Sequence, residues 1–452
     1  MTGHNFTPTA LCWLEALLHA RFGHNFELIQ QAETLILMLP GSEQSICFDQ
    51  LQSVFHQSRS DFSCQSWKAT AEGFVAPIED KLPAPSETKL PHPLVELKDN
   101  CTFIHYDILG LAYWMLTRLE EVGRADLDNH LRFPAISSHA FQHEYLDRPI
   151  VDEWLIILGQ VIKRVWPQIE LKQHKFSIKI SHDVDSPSLY GFKPWLTIGR
   201  MMAGHLLKRR TLRAFLTAPY VKIGTRKQLH SADPYNTFDW LMDVSEASNL
   251  RSSFYFICGR TDPIRDADYE PEHPAIRNLM RSIHERGHDI GLHPSYGTFQ
   301  KPELIKQEAE RLKRICAEEG IKQAEWGGRM HYLRWEQPIT LHAWADAGMH
   351  YDTTLGYADR PGFRCGTCHE YPAFDPVKQK QMTLKIRPLV VMECTVIDPA
   401  YLGLGISQAA EKRMKLLKKR CSLVEGTFSL LWHNSYFKDA TCKSIYENIL
   451  KR

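Results

Sequence analysis

Long apolar runs are missing from this 452-residue chain: no stretch approaches the roughly 20 apolar residues that a spanning helix needs, so no membrane span is expected. Charge of one sign is missing too. With 54 Lys and Arg against 53 Asp and Glu, a net charge of +1, the composition favours neither a nucleic-acid partner, an acidic substrate nor prolonged disorder. The 11 cysteines follow no regular spacing, which argues against a disulfide framework and fits a reducing compartment. The opening MTGHNFTPTALCWLEALLHARFGHNF lacks a basic start, an uninterrupted apolar core and a small-residue cleavage site, so it is not a secretory signal and cytoplasmic residence is the expectation. No internal repeat or low-complexity segment is present. The chain is too long for one ordinary domain, and two units are expected.

Residues 1–173 form the first unit, in which helix and strand signals alternate around a Pro-rich loop, residues 82–93 (LPAPSETKLPHP). Residues 106–122 (YDILGLAYWMLTRLEEV) place Ile108, Leu111, Ala112, Met115, Leu116 and Leu119 on one helical face, ending in the polar pair Glu120 and Glu121. His130, Arg132 and His143 follow, as groups that bind something or as surface or capping residues, the latter being the expected reading. After residue 173 the rhythm changes. Phe176, Ile178 and Ile180 alternate with polar residues in a strand that runs into Ser181-His182-Asp183-Val184-Asp185. Comparable strand ends recur at residues 253–258, 290–293, 350–355, 388–395 and 427–433. Helical segments separate several of them, the clearest at residues 302–319, with Pro302 suited to its first turn and Gly320 to its end. Strands alternating with helices predict an α/β unit with a parallel sheet, open or closed into a barrel.

Asp183 and Asp185 are two residues apart in extended backbone, so both carboxylates point to one face. One can hold a divalent metal while the other takes a proton from water; Asp before Ser-Pro also suits a cap or turn. His293, in Gly287-His288-Asp289-Ile290-Gly291-Leu292-His293-Pro294-Ser295-Tyr296, emerges at a strand end as a metal-ligand candidate.

These motifs resemble the polysaccharide deacetylase family, carbohydrate esterase family four, over about residues 175–440. The resemblance implies that Asp183 is the catalytic base, Asp185 and His293 are metal ligands, and Arg329 belongs to the Arg motif Gly328-Arg329-Met330-His331-Tyr332-Leu333 that lines the groove. It also implies that His433 of Leu431-Trp432-His433 is the general acid, with an apolar residue of that motif shaping the acetyl pocket. Two departures stand out: Gly297 occupies the position of the second metal-binding His, and His331 replaces the usual Pro. Three outcomes are open: His331 supplies the third ligand, Asp185 and His293 hold the metal with waters, or catalysis has been lost. Residues 352–370 (DTTLGYADRPGFRCGTCHE) resemble a subgroup with its own N-terminal domain, which Thr117-Arg118-Leu119-Glu120-Glu121 and Pro149-Ile150-Val151-Asp152 also resemble.

The implied fold is a distorted parallel (β/α) barrel of the polysaccharide deacetylase type, residues 174–452, preceded by a smaller α+β domain, residues 1–173. The implied activity is metal-dependent removal of N-acetyl or O-acetyl groups from a saccharide in surface polysaccharide metabolism, with a divalent ion, zinc, as cofactor. The alternatives are a metal-free carbohydrate-binding or scaffold protein and a hydrolase of another non-peptide C–N bond. Tyr332, Trp432, Asp352 and Arg364 are the substrate-binding candidates; Asp359, Arg360 and Arg364 either meet a polar or anionic substrate group or are solvated charges. Trp326, Trp335, Tyr296 and Tyr357 either stack on sugar rings or pack in the core. Cys365-Gly366-Thr367-Cys368-His369 matches a c-type haem attachment motif, but two reduced thiols or a structural zinc pair are the expected reading.

Overall fold

The computed structural model describes residues 5–98, 100–207, 211–437 and 439–451. Helix α1 (Pro8–Phe22) starts with the Thr7 hydroxyl accepting from the Ala10 amide and stops at Gly23, whose φ of 78° suits a residue without Cβ. Strands β1 (Glu27–Gln31), β2 (Thr34–Met38) and β3 (Ser45–Phe48) follow, then the ribbon of β4 (Cys64–Lys68) with β5 (Lys81–Pro85), then β6 (Val95–Lys98) and β7 (Cys101–Ile104). The five strands outside the ribbon form one sheet in the order β1-β2-β3-β7-β6, with β3 and β7 parallel. Cys47 and Cys101 are paired as a disulfide across β3 and β7.

Two sequence expectations change here. The Pro-rich interval begins as strand, because a two-stranded ribbon has free edges on which Pro83 and Pro85 need not donate. The helix expected over residues 106–122 ends early: α2 spans Ile108–Leu116, and Arg118 turns to a φ of 52°. Glu120 and Glu121 are buried rather than a polar end, because both carboxylates bond the buried Arg118 guanidinium.

Helices α3 (His139–Gln142) and α4 (Ile150–Val165) lead to the long sheet, which opens with β8 (Ser177–Val184). Two helices, α5 (Trp195–Leu207) and α6 (Leu212–Gly224), precede α7 (Phe238–Ala247), β9 (Ser252–Ile257), α8 (Pro274–Glu285) and β10 (Asp289–His293). Next come α9 (Pro302–Glu318), β11 (Gly327–Gly328), α10 (Ile339–Asp346), β12 (Tyr351–Asp352), β13 (Tyr371–Asp375), β14 (Lys380–Ile386) and β15 (Val391–Met392). The chain closes with α11 (Glu393–Ile397), α12 (Gln408–Leu423), β16 (Thr427–Leu431) and α13 (Ala440–Leu450). Glu393 to Thr395, expected as strand, are therefore helical.

The sheet order is β13-β14-β12-β11-β10-β9-β8-β16-β15, with all neighbours parallel except β13 and β14. This is the mixed α/β architecture with a parallel sheet that alternating strands and helices predict. Past β14, the Arg387 and Leu389 amides bond the Asp352 and Leu355 carbonyls, while Val391 pairs with Leu430. The strand alternation splits two chemistries. Ile178, Ile180, Phe254, Phe256, Ile290 and Leu292 are buried in the apolar core; Lys179, Ser181, Ser253, Tyr255 and Asp289, at intervening positions, line a cavity of about 230 Å³. Gly291 lies between them because a Cβ there would approach the Tyr255 ring to 2.5 Å. Among the described residues, no helix is long and apolar enough to cross a membrane.

Candidate active site

Asp183, at the end of β8, is 2% exposed and its Oδ1 accepts from Arg329 Nη1 at 2.8 Å. Arg329 is fully engaged: Nη2 donates to Ser181 Oγ at 2.8 Å and Nε to the Thr353 carbonyl at 3.0 Å. It thus holds Asp183 from behind, leaving Oδ2 directed at His293 Nε2, 3.7 Å away.

Asp185 meets three imidazoles. Its Oδ1 lies 3.3 Å from His293 Nε2 and 3.7 Å from His331 Nε2, and its Oδ2 lies 3.6 Å from His433 Nε2. Burial tends to raise the Asp185 pKa, but His331, His293 and His433 together hold it well below the ordinary carboxylate range. The far ring nitrogens are also tied. His293 Nδ1 bonds the Arg329 carbonyl at 2.6 Å, and a carbonyl only accepts, so Nδ1 carries the hydrogen. His331 Nδ1 faces Asp266 Oδ1 at 3.2 Å. This arrangement leaves both Nε2 lone pairs free for a cation, the usual setting of a metal-binding histidine.

The donor set fits a divalent metal. Asp185 Oδ1 is buried without a hydrogen-bond partner, and one ligand atom from each of Asp185, His293 and His331 lies within 4.8 Å of the others. A tetrahedral ion with bonds of about 2.0–2.1 Å needs ligand atoms about 3.3–3.4 Å apart, close to the 3.3 and 3.7 Å separations from Asp185 Oδ1. Gly297, at the position where the resemblance expects the second His, has an amide that donates to Thr261 Oγ1, and a Cβ there would meet Thr261 at 3.0 Å.

His433 is positioned by a residue that sequence reasoning missed. Its Nδ1 and its backbone amide both bond Glu393 Oε1. Burial works against protonation of His433, but Glu393 and the two aspartates outweigh it and push the imidazole up to about 10. Glu393 ends an otherwise apolar run, PLVVME, and that lone acid was the available signal. Asp266, in a loop without a motif, offered none.

The cleft holding these groups is about 420 Å³ and is lined also by Tyr332, Leu333, Met392 and Tyr401. Tyr332 sits at a φ of 60°, a strained conformation for a residue with a Cβ. Arg132 secures that turn, donating from Nη1 to the Tyr332 carbonyl at 2.8 Å, and itself lines the cleft. His130 packs against the Tyr332 ring. Arg132 therefore belongs to the wall of the site, and His130 stands behind Tyr332.

Trp432, Asp352 and Arg364 do not reach the cleft. Trp432 faces away from His433 and stacks on Phe437, leaving Leu431, Leu333 and Met392 as the apolar cluster on the cleft side. Asp352 accepts from the amide and hydroxyl of Thr354, and burial pushes its carboxyl up to about 7. Arg364 makes a fully buried two-pronged pair with Glu121. Breaking a buried pair costs about 3–5 kcal/mol when the other charge is left alone; Glu121 would keep Arg118, so Arg364→Ala is expected to lower unfolding stability by at most that amount in a denaturant melt, and a loss under 1 kcal/mol would remove this structural role. Asp359 accepts from the Ala135 amide, and Arg360 donates to the Asp359 carbonyl. Trp335 and Tyr357 are core residues, whereas Tyr296 packs under Arg334. Cys365 and Cys368 are buried free thiols, and the Cys368 amide donates to Asp152.

A family of unknown function, DUF7033, matches residues 2–167. No curated protein matches the chain. Among solved structures, a Mycobacterium smegmatis protein named as a polysaccharide deacetylase aligns at 14% identity and a TM-score of 0.41, covering 62% of this chain and 84% of its own. The Puue allantoinase aligns at 11% identity and a TM-score of 0.36, covering 61% and 83%. A Pseudomonas aeruginosa PAO1 protein named as a polysaccharide deacetylase aligns at 14% identity and a TM-score of 0.35, covering 61% and 84%.

Proposed function

We propose that this chain is a metal-dependent hydrolase that removes acetyl groups from the nitrogen, or the oxygen, of a saccharide. The convergence of Asp185, His293 and His331 carries the proposal, with each imidazole tied at its other nitrogen. In this reading residues 174–452 close into a distorted barrel, supported by the way residues 387–391 bond β12 on one side and β16 on the other. Residues 1–173 are an accessory domain.

Asp185, His293 and His331 would hold a divalent ion, zinc in this reading, which would supply Lewis acidity when bound. Asp183, fixed by Arg329, takes the proton of the attacking water. His433, kept protonated by Glu393, gives a proton to the departing nitrogen as the bond from the carbonyl carbon breaks. Acetate and a free amine result. Leu333 and Met392 provide apolar surface for the methyl group, and Tyr332 and Arg132 provide polar contacts for the sugar.

The test is acetate release from an N-acetylated oligosaccharide by protein loaded with zinc or cobalt. Turnover that rises with bound metal supports the reading. Ammonia or a ring-opened product from a cyclic amide, without acetate, transfers the site to other C–N bonds. Absence of both metal uptake and turnover leaves a carbohydrate-binding protein. Replacing Asp266 with Asn should weaken metal affinity about 10–100-fold, as loss of a carboxylate behind a ligating imidazole does elsewhere; titration with a competing chelator would measure it, and unchanged affinity would exclude His331 as a ligand.

A further inference from the structure

Between Asp185 and Asp233 the sequence contains no acidic residue and nine Lys and Arg. Much of this segment folds as α5 and α6. The two helices share a small apolar cluster of their own, Tyr190, Ile198, Ala218 and Val221, separate from the main core. Asp233 clasps the base, accepting from the Ser188 hydroxyl and the Leu189 and Tyr235 amides.

The outward side is apolar as well. In α6, Leu212, Leu216, Tyr220 and Ile223 recur at spacings that put them on one helical face, and they are 61, 59, 64 and 54% exposed. In α5, Leu196 and Leu207 are 69 and 77% exposed, and their spacing of three helical turns puts them on one side. An apolar stripe on a helix of a water-soluble fold ordinarily faces the core, yet here the inward stripe is already used and a second one points outward. Exposed apolar stripes of this kind mark a contact site.

We propose that α5 and α6 form a peripheral membrane-docking element, laying their outward stripes into the interface of an anionic lipid surface. Apolar side chains on one face with Lys and Arg around them are the composition of an interfacial helix, and the basic residues are drawn to anionic headgroups. The charge selects this occupant. A second copy would bring one basic segment against another, and a soluble polyanion would leave the leucines without a partner. Ser186, which lines the cleft, lies on the segment that leads into α5.

The test uses the whole chain, sedimented with vesicles of equal parts phosphatidylglycerol and phosphatidylcholine, or of phosphatidylcholine alone. Binding to the anionic vesicles, at least tenfold weaker to the neutral ones and weakened by high salt, is expected. Leu207→Gln/Leu216→Gln/Tyr220→Gln should reduce it at least tenfold, as should Arg200→Gln/Arg213→Gln/Arg226→Gln. Thermal melting of both variants, expected to be unchanged because the substituted side chains lie outside the core, checks that they fold. The proposal is overturned if the unmodified chain ignores anionic vesicles, or if well-folded variants bind as it does. Light scattering that shows a dimer dissociated by the leucine variant would assign the face to a second copy. Binding of dextran sulfate without vesicle binding would assign the charge to a soluble polyanion.

Discussion

Asp185→Ala is expected to bind no stoichiometric zinc or cobalt and to lose activity by about 10³-fold or more, since a Lewis acid contributes several kcal/mol to the barrier and each 1.4 kcal/mol is about tenfold. The carboxylate is the common neighbour of His293, His331 and His433, so its removal takes away the charge around which they converge. Elemental analysis beside a turnover assay makes the measurement. Melting curves of the metal-free proteins separate loss of the site from loss of the fold: the variant loses the attraction between the carboxylate and the three imidazoles, so it should melt lower than the metal-free parent yet remain folded at the assay temperature. His331→Ala should give the same metal result. Retention of metal by His331→Ala alone would show that Asp185 and His293 suffice; retention by Asp185→Ala would end the metal assignment.

Asp183→Asn separates the base from the metal. The amide oxygen can still accept from Arg329, so the local structure persists, but a proton acceptor is lost. General-base catalysis is worth about 10²–10⁴-fold, and kcat should fall by that factor while metal content and KM stay near their original values. Steady-state kinetics on metal-quantified protein decides it. A kcat within a few-fold of the parent would assign the base to another group, and a loss of metal would make Asp183 a ligand.

The candidate site was legible in the sequence wherever chemistry lay at the end of a periodic strand. Asp183, Asp185 and His293 were legible because Ile178, Ile180, Ile290 and Leu292 set the alternation that brings them to one end of the sheet. His331 was legible as a candidate because it stands in a motif where Pro is usual, and the structure brings its Nε2 within 3.7 Å of Asp185. Asp266, Glu393 and Arg132 were not, because each acts through a partner distant in sequence, and such pairings depend on tertiary packing rather than on local pattern. Trp432 and Arg364 were misread for a related reason. An aromatic residue or an arginine near a functional motif serves packing as readily as recognition, and only burial distinguishes the two: Trp432 is 0% exposed and Arg364 2%. The early end of α2 was hidden by an apolar periodicity that continues through Leu119, although Arg118 leaves the helix to reach its two glutamates.

Residues 128–132 have a consequence for how this protein can change. Asp128 grips Arg132, Arg132 grips the Tyr332 turn, and His130 braces the Tyr332 ring. The N-terminal part of the chain is therefore one jaw of a vice whose other jaw carries the metal-binding candidates. On the proposed function, a chimera that keeps residues 174–452 but takes its N-terminal part from a relative would inherit the donor's grip on Tyr332, so the wall of the cleft would change while Asp183, Asp185 and His293 stayed the same.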